Sequence, residues 1–108
     1  MVLQENYNNL LRILEENKNL LIVFSKLYVF GSFLTINHPD DVDLLFIYKK
    51  YNKALSKNAK IILSQIEKKL KFTADITILS SNELKEVEFL NRLNNNYRLI
   101  WKSTELIY

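Results

Sequence analysis

The chain contains one glycine, Gly31, and one proline, Pro39, and both lie within nine residues of each other. Glycine and proline are the residues that most often interrupt helices and strands. The rest of the chain can therefore form regular elements, and this short stretch carries its strictest backbone requirements. It follows an apolar run and leads to Asp41 and Asp43, after which a second apolar run begins. We expect the functional chemistry of the chain to lie here.

The composition predicts one globular domain over residues 1–108. Hydrophobic residues make up 48% of the chain and charged residues 25%, which is typical of a folded domain rather than a disordered one. The absence of cysteine excludes disulfides, thiolate metal sites and thiol nucleophiles. No apolar run approaches the ~20 residues of a membrane span, and no secretory signal is visible at the N-terminus. We therefore expect a cytoplasmic protein with no membrane partner.

The apolar periodicity predicts helices that alternate with strands. The predicted elements are a helix that ends near residue 17 or 19, strands over 26–30 and 42–48, a helix over 54–70, a strand over 72–79, a helix over 82–93 and a strand over 97–101. The run 20–24 fits either an extension of the first helix or a strand. In the last helix, Leu84, Val87 and Leu90 are predicted to face inward. This order indicates a small α/β sheet domain.

Three acidic residues are candidates for a metal site. Asp41 and Asp43 are two positions apart at the start of a predicted strand, so both carboxylates project from one face. Mg²⁺ favours one or two carboxylates together with substrate phosphates. Asp75, in the third predicted strand, could join them if that strand neighbours the second. Three carboxylates could then hold two metal ions around a phosphoryl displacement.

Gly31 and Ser32 are candidates for phosphate contacts. Gly31 ends a predicted strand and would let the backbone come close to a ligand, and Ser32 could cap the segment after it. If residues 32–34 begin a helical turn, their free amides would face a phosphate.

Plainer interpretations stay open for these residues. Asp41 and Asp43 could be a turn-and-cap pair before a strand, and Asp75 a solvated acid at a strand edge. Ser32 could serve only as a helix cap. His38, beside the proline, is predicted to be a loop residue rather than a catalytic base.

Together the motifs resemble the nucleotidyltransferases of the DNA polymerase β superfamily. The pattern is Gly31-Ser32, eight intervening residues, Asp41-Val42-Asp43, and Asp75 in a later strand. Within the superfamily, the short chain is similar to the minimal nucleotidyltransferases (MNT), often encoded beside HEPN-domain proteins in bacterial toxin–antitoxin pairs. The resemblance implies a small polymerase β-like α+β fold with a mixed sheet flanked by helices.

The resemblance also implies a role for each motif residue. Gly31 and Ser32 would contact a nucleoside triphosphate, with ATP favoured. Asp41 and Asp43 would bind metal, with two Mg²⁺ ions expected. Asp75 would complete one metal site and help to activate the acceptor hydroxyl. A nucleoside monophosphate would pass to that hydroxyl, and pyrophosphate would leave.

The resemblance leads to three functional hypotheses. The leading one is an adenylyltransferase that transfers AMP to a partner protein chain, a HEPN-type toxin, and so acts as an antitoxin. The second is a nucleotidyltransferase toxin that modifies tRNA. The third is a non-catalytic binding module of the same fold that masks its partner. The net charge of +3 is compatible with nucleic acid, but no basic aromatic platform for RNA stands out, so a protein acceptor is favoured. A homo- or hetero-oligomer is compatible with all three.

Overall fold

The computed structural model describes residues 2–34, 41–94 and 96–103. The elements follow the order that the sequence predicts, with a short second helix in addition. They are α1 (Val2–Glu16), α2 (Lys18–Leu21), β1 (Lys26–Phe30), a 3₁₀ turn (Gly31–Leu34), β2 (Asp41–Tyr48), α3 (Leu55–Leu70), β3 (Thr73–Ser80), α4 (Glu83–Arg92) and β4 (Tyr97–Lys102).

The four strands form one mixed sheet in the order β3-β2-β1-β4. Strand β1 pairs antiparallel with β2 and with β4, whereas β2 and β3 are parallel. Parallel neighbours need a crossover connection, and α3 supplies it. The predicted α+β class with a mixed sheet flanked by helices is therefore confirmed.

Helices α1 and α3 cover one face of the sheet. Their apolar residues recur at helical spacing, so each helix buries one stripe and exposes the rest. The buried residues on this side include Leu10, Ile13 and Leu14 of α1, Leu55, Ala59, Ile62 and Ile66 of α3, and Val42, Leu44 and Phe46 of β2. Each Val, Leu, Ile or Phe side chain among them contributes about 1.5–3 kcal/mol when fully buried, and this cluster is the main core of the fold.

Helix α4 covers part of the opposite face, and of its predicted inward residues Leu90 is confirmed whereas Val87 is not. Phe89 and Leu90 pack against a second buried cluster of Tyr28, Leu45 and Ile47. Val87, which the helical pattern places inward, is 48% exposed. The side chain of Leu84 lies outside the described residues. The helix is rotated because Glu86 is buried beneath it and accepts a hydrogen bond from the Tyr28 hydroxyl at 3.0 Å.

The ambiguous run 20–24 is not a strand: Leu20 and Leu21 are helical, and residues 22–23 form a turn. Asn17 interrupts the helix, and its buried side chain donates to Ile13 O at 2.8 Å and to Gln65 Oε1 at 3.0 Å. The chain then forms α2 and places Phe24 in the core. None of the helices in the described ranges is both long and apolar enough to cross a membrane.

Candidate active site

Alternation along β2 separates its apolar and acidic side chains. Val42 and Leu44 face the core under α1 and α3. Asp41 and Asp43 therefore lie on the opposite face, which they share with Leu45. Both aspartates are half-buried. The prediction that the two carboxylates project from one face agrees with this arrangement.

Parallel pairing places the third acid beside the second. Asp43 and Asp75 are directly opposite each other in the register of β2 and β3, so their side chains share a face of the sheet. Asp75 is exposed, and β3 is an edge strand. The condition set from the sequence, that the third predicted strand neighbours the second, is met.

Gly31 lies directly beside Asp43. Phe30, the last residue of β1, pairs with Asp43 across the antiparallel ladder. Gly31 has φ of +83°, a conformation that L side chains rarely adopt, and a Cβ at this position would lie 2.7 Å from Asp43 Oδ2. The Gly31 N–H donates to Asn96 O at 3.3 Å. The glycine thus makes room for the carboxylate while its own amide binds the backbone.

The helical turn expected after Gly31 forms as a 3₁₀ turn. Phe33 anchors it, because its buried ring packs edge-to-face on Phe72 with centroids 5.9 Å apart. The backbone of Ser32 lies in this turn, directly after Gly31, whereas its side chain lies outside the described residues, as does His38. The roles assigned to these two side chains therefore stay predictions.

Burial and the two neighbouring acids affect the protonation of Asp43. Burial raises the pKa of Asp43 above its usual 3.8, and the negative charges of Asp41 and Asp75 raise it further. The ion pairs in the described part of the chain join Lys18 to Glu15, Lys26 to Glu86 and Lys69 to Glu16. Among the described residues, therefore, no cationic side chain forms an ion pair with the three aspartates. A bound cation would neutralise their charge.

The donor set fits a hard cation that arrives with a substrate. Carboxylate oxygens are ligands that Mg²⁺ prefers. Over residues 2–34, 41–94 and 96–103, however, no three Asp, Glu or His side chains are arranged to hold a metal ion by themselves. Mg²⁺ seldom needs such a cage, since it usually combines one or two carboxylates with water and phosphate oxygens. Asp41 and Asp43 are the residues that fit this role, with Asp75 beside them.

One contact near the site has no signal in the sequence. Glu67, on α3, accepts a hydrogen bond from the Ala74 N–H at 3.0 Å through Oε2. Ala74 immediately precedes Asp75 on the edge strand, so Glu67 ties the start of β3 to the crossover helix. A glutamate on a lysine-rich helix is expected to be solvated, and only the packing of α3 against β3 gives it this partner.

Solved structures with the same fold include a nucleotidyltransferase and toxin–antitoxin complexes. A proposed nucleotidyltransferase from Sulfolobus solfataricus superposes with a TM-score of 0.56 at 17% identity, over 100% of this chain and 94% of its own. A complex of a tri-AMPylated Shewanella oneidensis HEPN toxin with an MNT antitoxin superposes with a TM-score of 0.59 at 14% identity, over 95% and 75%. A toxin–antitoxin structure with AMP-PNP gives 0.58 at 14% identity, over 93% and 76%. The chain has the fold of these three structures, as the resemblance implied.

The family of the chain follows from its sequence profile. Residues 4–104 match a family of unknown function, DUF6932, and the chain belongs to that family. A search of curated proteins finds no significant match.

Proposed function

We propose that the chain is a Mg²⁺-dependent nucleotidyltransferase that transfers a nucleoside monophosphate from a nucleoside triphosphate to a hydroxyl of a macromolecular acceptor. The observation that supports this most is the pairing of Asp43 with Asp75 on parallel strands, on the face that also carries Asp41. Burial raises the pKa of Asp43, and the charges of Asp41 and Asp75 raise it further; a bound cation would offset both effects.

The three acids divide two tasks in the proposed reaction. Mg²⁺, when bound, supplies charge neutralisation on the triphosphate and on the leaving pyrophosphate. Asp41 and Asp43 hold the metal-bound triphosphate against the sheet, and the side-chain-free Gly31 lets that ligand approach the strand end. Asp75 orients the attacking hydroxyl and takes up its proton. The hydroxyl oxygen then bonds to the α-phosphorus as the bond to pyrophosphate breaks.

The position of Asp75 supports an acceptor supplied by another chain. Asp75 is exposed on the edge strand β3, so a large acceptor can reach it without opening the core. Two proteins of the same fold were solved in toxin–antitoxin assemblies, one with an AMPylated HEPN toxin and one with AMP-PNP. We therefore propose ATP as the donor and a HEPN-type toxin as the acceptor, with an antitoxin role for this chain.

A modification assay tests the proposal. The purified chain is incubated with ATP, Mg²⁺ and the HEPN-type protein encoded nearest to it. The mass of the acceptor protein is then measured by mass spectrometry. We expect one or more AMP additions that EDTA abolishes. Asp43→Asn, nearly isosteric, should lower the rate by about 100-fold or more, the usual effect of removing a group that stabilises the transition state. The matched control Glu88→Gln, an exposed acid of α4, should leave the rate unchanged.

The same assay distinguishes the other two hypotheses. AMP addition to tRNA in place of the protein would reassign the acceptor. Neutralisation of the partner that survives Asp41→Ala with Asp43→Ala, without any AMP addition, would show a non-catalytic binding module. Equal activity of wild type and Asp43→Asn would contradict the proposed site.

A further inference from the structure

A basic cleft lies at the opposite end of the sheet from the aspartates. It has a volume of about 800 Å³ and is lined where β1 begins and where β2 and β4 end. Four lysines line it: Lys26, Lys49, Lys50 and Lys102. Among its described lining residues there is no acidic side chain.

The sheet topology creates this concentration of charge from distant parts of the sequence. Lys26 pairs with Lys102 across the β1–β4 ladder and with Ile47, next to the end of β2, across the β1–β2 ladder. The lysines at 49 and 50 follow that strand end directly. The four lysines are far apart in the sequence and come together only when the strands pair. For this reason the sequence alone does not indicate a basic platform.

Three of the four lysines are available to a ligand. Lys26 is paired with Glu86, its Nζ donating to Oε2 at 3.1 Å. Lys49, Lys50 and Lys102 are exposed and form no ion pair within the described part of the chain. Like charges at close range raise the local positive potential and attract an anion.

Exposed apolar side chains accompany the lysines. Tyr51 is 73% exposed and Ile22 is 65% exposed, and both line the cleft. A large aromatic ring left this open is informative, because most tyrosines bury much of their surface. A tyrosine ring among lysines can stack on a base while the ammonium groups contact the phosphates on either side.

We propose that this cleft binds single-stranded nucleic acid, with Lys49, Lys50 and Lys102 on the phosphates and Tyr51 stacked on a base. An acidic protein segment fits less well, because lysine is depleted at the centres of protein interfaces. Strand β2 runs from the aspartates to the cleft. At about 3.3 Å per residue, its length separates the two sites by roughly 23 Å. The cleft is thus an anchoring site, distinct from the place where nucleotide transfer is proposed to occur.

Fluorescence anisotropy with labelled oligo(U) and oligo(dT) of about twelve nucleotides tests this proposal. The two probes distinguish RNA from DNA, and inorganic polyphosphate and poly(glutamate) serve as competitors. The triple variant Lys49→Gln, Lys50→Gln, Lys102→Gln should bind about tenfold or more weakly. Its slope of log affinity against log salt should be smaller by about 2, because each lost phosphate contact removes about 0.7. Tyr51→Ala should weaken binding by about fivefold or more, and Tyr51→Phe should retain it.

A charge-matched control distinguishes the cleft from net charge. The triple variant Lys57→Gln, Lys60→Gln, Lys68→Gln removes three exposed charges of α3 and the same net charge, and should bind like wild type. Asp43→Asn should bind the oligonucleotide like wild type. The cleft proposal can therefore be tested even if the proposed nucleotidyltransferase activity is not found. Equal losses in both triple variants, full binding by Tyr51→Ala, or equally strong competition by poly(glutamate) would each overturn the proposal.

Discussion

The carboxylate of Asp43 occupies the space that a side chain at Gly31 would need, with Oδ2 only 2.7 Å from the ideal Cβ position. Real Cβ atoms essentially never approach another heavy atom so closely. The glycine and the aspartate of the sequence motif are therefore one structural unit, joined across the antiparallel pair of β1 and β2.

Gly31→Ala should cost both stability and ligand binding. The backbone at φ of +83° is strained for any L side chain by about 1–2 kcal/mol, and the new methyl group must displace the Asp43 carboxylate. We expect the free energy of unfolding in urea to fall by about that amount. We also expect ATP with Mg²⁺ to raise the melting temperature of the wild type but not that of Gly31→Ala.

Asn94 provides the matched control, because it has φ of +50° and lies in the turn between α4 and β4. Asn94→Ala should lose comparable stability and keep the full shift with ATP and Mg²⁺. A Gly31→Ala protein that keeps that shift would contradict the coupling of Gly31 to Asp43.

Asp43→Asn should stabilise the metal-free protein at neutral pH. Because burial and the charges of Asp41 and Asp75 raise the pKa of Asp43 in the folded state, the ionised carboxylate destabilises the fold. The penalty is fully present above the raised pKa and vanishes as the pH falls below the usual value of 3.8. We expect a gain on the order of 1 kcal/mol, typical when a strained functional group is removed.

Urea unfolding of wild type and Asp43→Asn in EDTA from pH 3 to pH 8 checks this prediction. The difference in stability should be largest near neutral pH and should decrease as the pH falls to 3. The stability of Glu88→Gln should match that of the wild type throughout. A variant that is less stable than wild type at pH 7 would show that the carboxylate makes stabilising contacts instead.

The sequence predicts the elements well and their contacts poorly. The strand predicted over 26–30 is observed as Lys26–Phe30, and the helix predicted over 54–70 as Leu55–Leu70. Period and turn residues determine such elements locally. The register that places Asp43 opposite Asp75 depends on how α3 packs, which no local pattern encodes. The family resemblance supplied that contact, whereas the residues alone left it conditional.

Two other features could not be predicted from the sequence for the same reason. Glu86 is an acid on an amphipathic helix, and the helical pattern places Val87 inward and does not single out Glu86. The structure buries Glu86 and exposes Val87, because a tyrosine hydroxyl and a lysine on β1 pair with the Glu86 carboxylate and offset the cost of burying it. The lysine cleft likewise exists only after the strands pair.

Tyr28 should make the fold sensitive to alkali. Its hydroxyl donates to Glu86 Oε2 at 3.0 Å, and burial, followed by this hydrogen bond and the charge of Glu86, raises its pKa from 10.0 to about 12. The unfolded chain loses this proton earlier than the folded one, so the contribution is complete below pH 10 and lost as the pH rises toward 12. Tyr28→Phe should cost about 1.5–3 kcal/mol at pH 8, the usual loss for a hydrogen bond to a charged group.

Unfolding measured between pH 8 and pH 12 tests this contribution. The wild type should lose stability above pH 10 more steeply than Tyr28→Phe. Tyr97→Phe removes the neighbouring tyrosine hydroxyl, on a ring that packs edge-to-face on Tyr28, and should keep most of the wild-type slope. Parallel curves for wild type and Tyr28→Phe would mean that the Glu86 contact does not carry the effect.

Glu67 should act on the reaction through the position of Asp75. Its Oε2 accepts the Ala74 N–H at 3.0 Å, at the start of an edge strand that has only one neighbour. Glu67→Ala frees that amide, and we expect kcat for AMP transfer to fall about 3- to 10-fold, equivalent to the loss of one ordinary hydrogen bond. The shift in melting temperature with ATP and Mg²⁺ should persist, because Asp41 and Asp43 are untouched.

Conservative replacement separates this positioning role from a general loss of stability. Glu67→Gln retains a carbonyl oxygen that can accept the same hydrogen bond, so it should restore kcat. Glu15→Ala removes an exposed glutamate of α1 that is paired with Lys18 at the surface, and it should change neither quantity. If Glu67→Gln is as slow as Glu67→Ala, the charge and not the hydrogen bond matters, and the contact with Ala74 does not position Asp75.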